Sequence, residues 1–339
     1  MAAKAPAFWA RRSHPAALAL LPLSLLFRTV AGLRRRLYRA GALSGVRLPV
    51  PVIVVGNIAV GGSGKTPVVE WLVRQLVAAG RRPGIVSRGY GSTQGDGVAL
   101  VPADGDPLRY GDEPVLLARL RGCPVAIGRD RPAAAQALLQ AHPECDVVIA
   151  DDGMQHYRLA RDLEIAVVDE RVLGNRWPLP AGPLREPLSR LAAVELVIAH
   201  GGLSPRLRAA LQTTPVFSMH LEGGSFRSLA DPARRLPAAA LAGHRVHAVA
   251  GIGRPQRFFD QLASMGLEVV PHPFPDHHRF AAADLAFGAG APIVMTSKDA
   301  VKCAAFAPDD CWEFPVRAQI GAGAAELILE KLNDGSPTA

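Results

Sequence analysis

Residues 49–55, Pro-Val-Pro-Val-Ile-Val-Val, form a short apolar run rich in β-branched side chains that Gly56 and Asn57 bring to a stop. Such a run predicts a strand buried on both faces of a parallel sheet. Downstream, Val68, Val69, Leu72, Val73, Leu76 and Val77 recur at helical spacing until Gly80, which predicts a helix closed by glycine. Strand-like runs at 85–86, 125–127, 147–150, 165–168 and 196–199 then alternate with helical stretches, the pattern of a doubly wound α/β domain. From Gly201 to Pro237 the chain is broken by Pro and Gly. Beyond it come a strand at 246–250, a Gly-Ile-Gly turn, a helix through Phe258 and Leu262, and strands at 268–270 and 292–295. A second, smaller α/β domain is expected there. The predicted organisation is an N-terminal segment (1–47), a P-loop NTPase-like domain (48–215), the smaller domain closing over the site (216–330) and a tail (331–339), disordered from Asp334 onward.

The N-terminal segment carries a different pattern. Residues 15–27 are apolar except for Ser24, but thirteen residues fall short of the ~20 that cross a bilayer. On a helix, Leu26, Val30, Leu33 and Leu37 share one face and Arg28, Arg35 and Arg39 the opposite one, as in an interfacial amphipathic helix. An ordinary helix packed on the body, and a secretory signal cut after Ala31, are the competing readings. The Arg34–Arg36 run just past the apolar stretch favours retention on the cytoplasmic side.

Charge sharpens that distinction. The chain has 38 Lys and Arg against 30 Asp and Glu, a net charge of +8. Nine of the basic residues lie in 1–47, where no acidic residue occurs, so the remainder is nearly balanced. The excess is a local membrane-facing feature rather than a nucleic-acid footprint spread over a domain, and no nucleic-acid partner is expected. The four cysteines, Cys123, Cys145, Cys303 and Cys311, have no metal or redox spacing and read as buried thiols.

After the first predicted strand, residues 59–66 read Ala-Val-Gly-Gly-Ser-Gly-Lys-Thr, a G-x-x-x-x-G-K-[ST] phosphate loop with Ala59 in place of its first Gly. Gly61, Gly62, Ser63 and Gly64 allow backbone N–H groups to close around phosphate oxygens at a helix N-terminus. Lys65 is placed to reach the β and γ phosphates of ATP, and Thr66 to offer a hydroxyl to Mg²⁺. The strand at 147–150 ends in Asp151-Asp152-Gly153, the form of a Walker B strand that delivers a carboxylate to that metal. Gly251-Ile252-Gly253 lacks the third Gly of a dinucleotide fingerprint and is read as a turn.

The ordered segments GNIAVGGSGKTP, SRGYG, GDEP, DDGMQH, LPAGPLREP, FPDHHRF and TSKDAVK resemble those of tetraacyldisaccharide 4′-kinases, from about Val50 to Lys302. The resemblance implies ATP- and Mg²⁺-dependent phosphorylation of a lipid-linked disaccharide in lipid A biosynthesis. It implies a peripheral or monotopic enzyme at the cytoplasmic face of the bacterial inner membrane, meeting an anionic surface, with no obligate protein partner. It also implies that Asp112 of GDEP and His277 of FPDHHRF, or its neighbour His278, activate the 4′-hydroxyl. Glu113, Asp151, Asp152 and Gln155 are implied as metal-side and substrate-side groups together with Thr66, with the share of Asp151 and Asp152 left open. Arg88 and Tyr90, Arg129 and Arg131, His156 and Arg185 are implied holders of the acceptor's phosphate and sugars. Arginine suits that task because its planar fork donates two parallel hydrogen bonds. Met154 and Ser297 depart from the family's usual Phe and Glu; Lys298 and Asp299 stay open between a nucleotide-side and a structural role.

The alternative is a membrane-associated P-loop NTPase acting in targeting or assembly. It shares the helix and the phosphate loop but leaves GDEP, the His277 region and the arginines unexplained.

Overall fold

In a computed structural model, residues 6–95, 97–120, 122–211, 213–287 and 290–334 are described. Lys4 and residues 335–339 of the expected tail lie outside them; Asp334 caps the last helix.

Eight strands come first in the chain: β1 (Val52–Gly56), β2 (Pro83–Ser87), β3 (Ala99–Val101), β4 (Val125–Ile127), β5 (Val147–Asp151), β6 (Leu163–Val168), β7 (Leu196–His200) and β8 (Val216–Glu222). Six more build a second sheet: β9 (Ser225–Ser228), β10 (Arg235–Pro237), β11 (Arg245–Ala250), β12 (Glu268–Pro273), β13 (Ile293–Thr296) and β14 (Cys311–Phe314). A final strand, β15 (Arg317–Ile320), returns to the first sheet, giving nine strands in the order β15-β8-β7-β6-β1-β5-β2-β4-β3. The first sheet is parallel except at its edges, where β3 and β15 run antiparallel to their neighbours.

Each central strand feeds two cores because successive side chains point to opposite faces. In β1, Ile53 and Val55 join the core beneath the helices Lys65–Ala78, Asp112–Ala118 and Ala324–Asn333, while Val52 and Val54 join the core on the other side. All four are at most 1 % exposed, and each such side chain contributes about 1.5–3 kcal/mol through burial. The second sheet repeats the device: Val246, Ala248 and Ala250 pack with Phe258, Phe259 and Phe314, whereas Val249 faces Met295, Cys303 and Cys311.

The sheets divide the chain differently from the expected boundary at 216. β8 pairs in parallel with β7, and β15 pairs antiparallel with β8, so both belong to the first sheet, followed by the helix Ala324–Asn333 on its face. The second sheet is an insertion carried between β8 and β15. Where the chain crosses, Gly223 lies on Phe314: a Cβ there would come within 2.4 Å of the ring.

Glu70, on the phosphate-loop helix, faces this crossing. Burial pushes its carboxyl up to about 7, helped by Glu313 and opposed by Arg74, Arg317 and Arg227. A carboxyl raised in the folded state makes stability fall as pH rises from its ordinary value of 4.5 through about 7. Glu70→Gln is therefore expected to gain Tm relative to the unmodified protein as pH goes from 5 to 8, by the equivalent of about 1–3 kcal/mol. A Tm difference independent of pH would refute this origin.

The N-terminal helix Leu21–Arg39 follows a shorter one, Pro15–Ala19, whose N-cap His14 accepts a hydrogen bond from the Ala16 N–H. Ser24, the polar exception in the apolar run, is its peg: the hydroxyl donates to the Pro178 carbonyl (3.0 Å) and accepts from the Ala181 N–H (2.9 Å). Leu26, Val30 and Leu33 are 59, 58 and 56 % exposed, and Val30 and Leu33 border the cleft described below. Among the described residues no helix is long and apolar enough to cross a membrane. The four cysteines are buried and free, and burial pushes the Cys145 thiol up to about 11.

Candidate active site

The carboxyl ends of β1, β2, β5, β6 and β7 share one edge, where ligands bind in open α/β sheets. A cleft of about 2350 Å³ runs along it between the two sheets. That exceeds the roughly 300–1,000 Å³ of a single small-molecule pocket and leaves room for two substrates.

The phosphate loop springs from β1. Asn57 closes it from within, its amide donating to Ser63 Oγ (3.2 Å) and the Gly61 carbonyl (3.4 Å). Gly61 and Gly64 have φ of +117° and +90°. A Cβ on Gly64 would also lie 3.1 Å from both His200 Nδ1 and Met219 Cε, so conformation and space each demand glycine. Ala59 has an ordinary negative φ and bridges to Leu184, so the missing first Gly costs the backbone nothing. Lys65 and Thr66 open the helix Lys65–Ala78, whose free N–H groups and dipole face the cleft.

Register places Val55 beside Asp151, which brings the Walker B end next to the phosphate loop. Asp151 is buried and accepts from Ser87 Oγ (3.1 Å); burial, then Glu113 and Asp152, push its carboxyl up to about 7. Asp152, at a left-handed φ of 50°, behaves oppositely. Against the opposing effect of burial, Lys65 (3.5 Å) and Arg185 (3.0 Å) hold it at about 2. Glu113 is paired with Lys298 Nζ at 2.8 Å, which lowers its carboxyl. Among the described residues no three such side chains form a ready metal cage. This donor set fits Mg²⁺, which takes one or two carboxylates together with substrate phosphates rather than an all-protein cage.

From across the cleft an imidazole meets a carboxylate of the first unit. Gly111 (φ +95°) turns the chain so that Asp112 begins a short helix; a Cβ on that glycine would lie 2.8 Å from the Tyr90 carbonyl. His277, at φ 57°, comes from the loop after β12 and sets Nδ1 3.0 and 3.1 Å from the two Asp112 oxygens. Burial opposes both charges. The bond between them overrides it, holding Asp112 far below the usual carboxylate range, with Lys298 and Lys302 assisting, and raising His277. His278 is not an equivalent choice. It stacks on Phe274 and is bonded to Asp284 at 3.1 Å.

Of the residues expected to hold the acceptor, Arg88, Tyr90, His156 and Arg185 line the cleft, with the Tyr90 ring 4.9 Å from that of His277. Burial, then Arg131 and Arg88, push His156 down to about 4, so it meets a ligand neutral at pH 7. Arg129 and Arg131 do not line the cleft. Arg131 is 1 % exposed, donates to the Gly128 carbonyl (2.5 Å) and acts from behind as buried positive charge, itself pushed down to about 10 by burial. Gln155 is also placed differently from expectation: its amide nitrogen donates to the Asn57 carbonyl (3.1 Å) and to Glu186 (2.8 Å), bracing the loop. Asp299, fully buried, accepts from the Gly251 N–H (2.9 Å) and Thr296 Oγ1 (2.6 Å), which makes it a structural support of the Gly-Ile-Gly turn. Ser297, where the family usually has Glu, donates to Glu313 (2.6 Å).

Two groups escaped the sequence. Glu186, next to Arg185, gathers Gln155, Tyr157 (2.8 Å), Arg190 (3.2 Å) and, from the N-terminal helix, Arg35 (3.9 Å). Its place in the LREP run was its one signal. Asp169, at the end of β6, pairs with Arg257 of the second unit, and Arg254 donates to the Arg171 carbonyl, so the two sheets are tied beside the phosphate loop. No local pattern announces that contact.

A phosphate loop on one sheet, a Walker B carboxylate beside it and an imidazole from the second sheet's unit bonded to a carboxylate of the first define a P-loop phosphotransferase acting on a hydroxyl. The match to known proteins narrows the class. The family described as tetraacyldisaccharide-1-P 4′-kinase, LpxK, matches residues 16–333, and the chain belongs to it. It is 70 % identical over 338 residues to a tetraacyldisaccharide 4′-kinase of Azoarcus sp. (strain BH72), covering 99 % of this chain and 97 % of that one. It is 68 % identical over 339 residues to that of Aromatoleum aromaticum, covering 100 % of both. Among solved structures, LpxK from Aquifex aeolicus in complex with ATP superposes with a TM-score of 0.78 at 30 % identity, over 94 % of this chain and 99 % of that one.

Proposed function

We propose that this chain transfers the γ-phosphate of ATP to the 4′-hydroxyl of tetraacyldisaccharide 1-phosphate, working at the cytoplasmic face of the inner membrane. The observation that carries the reading is the Asp112–His277 pair facing the phosphate loop across one cleft. With Nδ1–H donated to Asp112, Nε2 presents its lone pair to the cleft and takes the hydroxyl proton as oxygen attacks phosphorus. Lys65 and the loop N–H groups hold the phosphates and offset charge on the transferred group. Mg²⁺, when bound by Thr66 with Asp152, Asp151 or Glu113, supplies Lewis-acid stabilisation of the phosphate oxygens. Arg88, Arg185 and Tyr90, with Arg131 behind them, give the acceptor's anionic end a positive wall.

Transfer of labelled γ-phosphate to tetraacyldisaccharide 1-phosphate in detergent micelles tests this reading. Labelled lipid product is expected. ATP hydrolysis without it would favour the targeting or assembly NTPase.

The exposed apolar side chains of Leu26, Val30 and Leu33, flanked by arginines, support peripheral attachment to an anionic bilayer. Leu26→Glu with Leu33→Glu is expected to weaken co-sedimentation with phosphatidylglycerol vesicles at least tenfold, since each buried Leu contributes about 1.5–3 kcal/mol. Unchanged co-sedimentation would exclude this face as the anchor.

A further inference from the structure

Lys298 is poised in a way the mechanism above leaves unused. It stands on the helix Ser297–Cys303 of the second unit, lines the cleft, and spans it to Glu113 at 2.8 Å. Burial opposes its charge, yet Glu113, Asp112 and Asp276 raise its affinity for the proton, so it is an ammonium throughout the working pH range. On the facing wall, Lys65 makes the matching contact with Asp152 at 3.5 Å. Two carboxylates that face the expected metal position are thus each covered by a lysine, one from each side of the cleft.

We propose that Lys298 is a catalytic residue with two successive partners: it neutralises Glu113 while no divalent cation is present, and moves onto an oxygen of the transferred phosphoryl group once that cation takes over the carboxylate. The inference rests on the phosphotransferase reading and assigns a second cation to the same phosphoryl group. Three observations carry it. First, Glu113 follows Asp112 in the first turn of one helix of the first unit, and Lys298 is its counter-charge from the opposite unit. Second, an ammonium and a divalent cation carry charge of the same sign and compete for one carboxylate in the cleft, where Lys298 and Glu113 are 19 and 30 % exposed and open to exchange. Third, Lys298 and His277 are both delivered by the second unit. Release of Lys298 from Glu113 therefore leaves a cation beside the base at the place where negative charge develops. Lysine suits the exchange better than arginine, since a point charge on a flexible stem changes partner without breaking a bidentate fork.

The test is Mn²⁺ binding, followed by electron paramagnetic resonance on the nucleotide-free protein, paired with kcat for phosphoryl transfer. Lys298→Met removes the competing cation, so its Mn²⁺ Kd is expected to tighten tenfold or more while kcat falls at least 100-fold and KM for ATP stays within threefold. Lys298→Arg is expected to keep the Mn²⁺ Kd within threefold of the unmodified protein. If Lys298→Met does not fold, Lys298→Gln replaces it with the same expected readings. Unchanged or weaker Mn²⁺ binding in the neutral variant would overturn the exchange, and so would near-normal kcat. The Mn²⁺ reading needs no acceptor, so it decides this proposal even if the unmodified protein fails to phosphorylate the lipid, a result that would instead overturn the proposed substrate.

Discussion

Lys65→Ala is expected to lower kcat by roughly three orders of magnitude or more, on the scale known for single cationic groups that stabilise phosphoryl transfer. Lys65 is held at the start of its helix with its ammonium 3.5 Å from Asp152 and open to the cleft where the phosphates enter. Among the described residues no other lysine of the first unit lines the cleft. The fold is expected to survive, because Asp152 keeps its nearer partner Arg185 at 3.0 Å and the helix is anchored by Val68, Leu72 and Leu76 in the core. Circular dichroism and Tm close to those of the unmodified protein, together with ATP binding weakened in calorimetry, would complete the picture. A rate within tenfold of normal would remove Lys65 from the mechanism.

Asp112→Asn is the second large effect. A positioned general base contributes about 10²–10⁴-fold, and most of that is expected to vanish from kcat while KM for ATP barely changes. The asparagine amide cannot hold the imidazole through a charge-assisted bond, so His277 loses the interaction that raises its proton affinity. The acid limb of the residual pH–rate profile should then move to lower pH. Stability moves as well: Asp112 is depressed in the folded state, so its contribution exists above its ordinary value of 3.8 and is lost as pH falls toward its folded value. The Tm deficit of the variant is therefore expected at pH 7 and to shrink in acid. A normal pH profile with normal kcat would exclude the pair as the base.

The parts of this site that could be read in the sequence are those whose chemistry is local in the chain. Gly61 through Thr66 must be contiguous to wrap a phosphate, and the strand before them and helix after them carry their own periodicities. The dyad was legible only through the family resemblance, because 165 positions separate its members and neither has a spacing of its own. The boundary at 216 failed for a related reason. β8 is half exposed along its length, without the dense apolar run that marks β1 or β6, and its partner β15 lies across the whole second unit. Arg131 misled because an arginine opening a helix is ordinarily solvated; here the short β4 and its turn draw it beneath the carboxylates. Gln155 was drawn into the metal set by its motif, whereas Glu186, thirty-one positions on, takes its amide.

The insertion between β8 and β15 has a mechanical meaning. Its two attachment points are neighbouring strands of one antiparallel ribbon, and Gly223 rests on Phe314 at the crossing. A twin-strand tether of this kind flexes normal to the sheet far more readily than it slides along the strands or twists about its length. The second unit consequently hangs as a door on a strap rather than a ball on a string. His277 and Lys298 both sit on that door, so the tether restricts the directions in which they could shift relative to the phosphate loop, which suits a reaction sensitive to ångström misplacement.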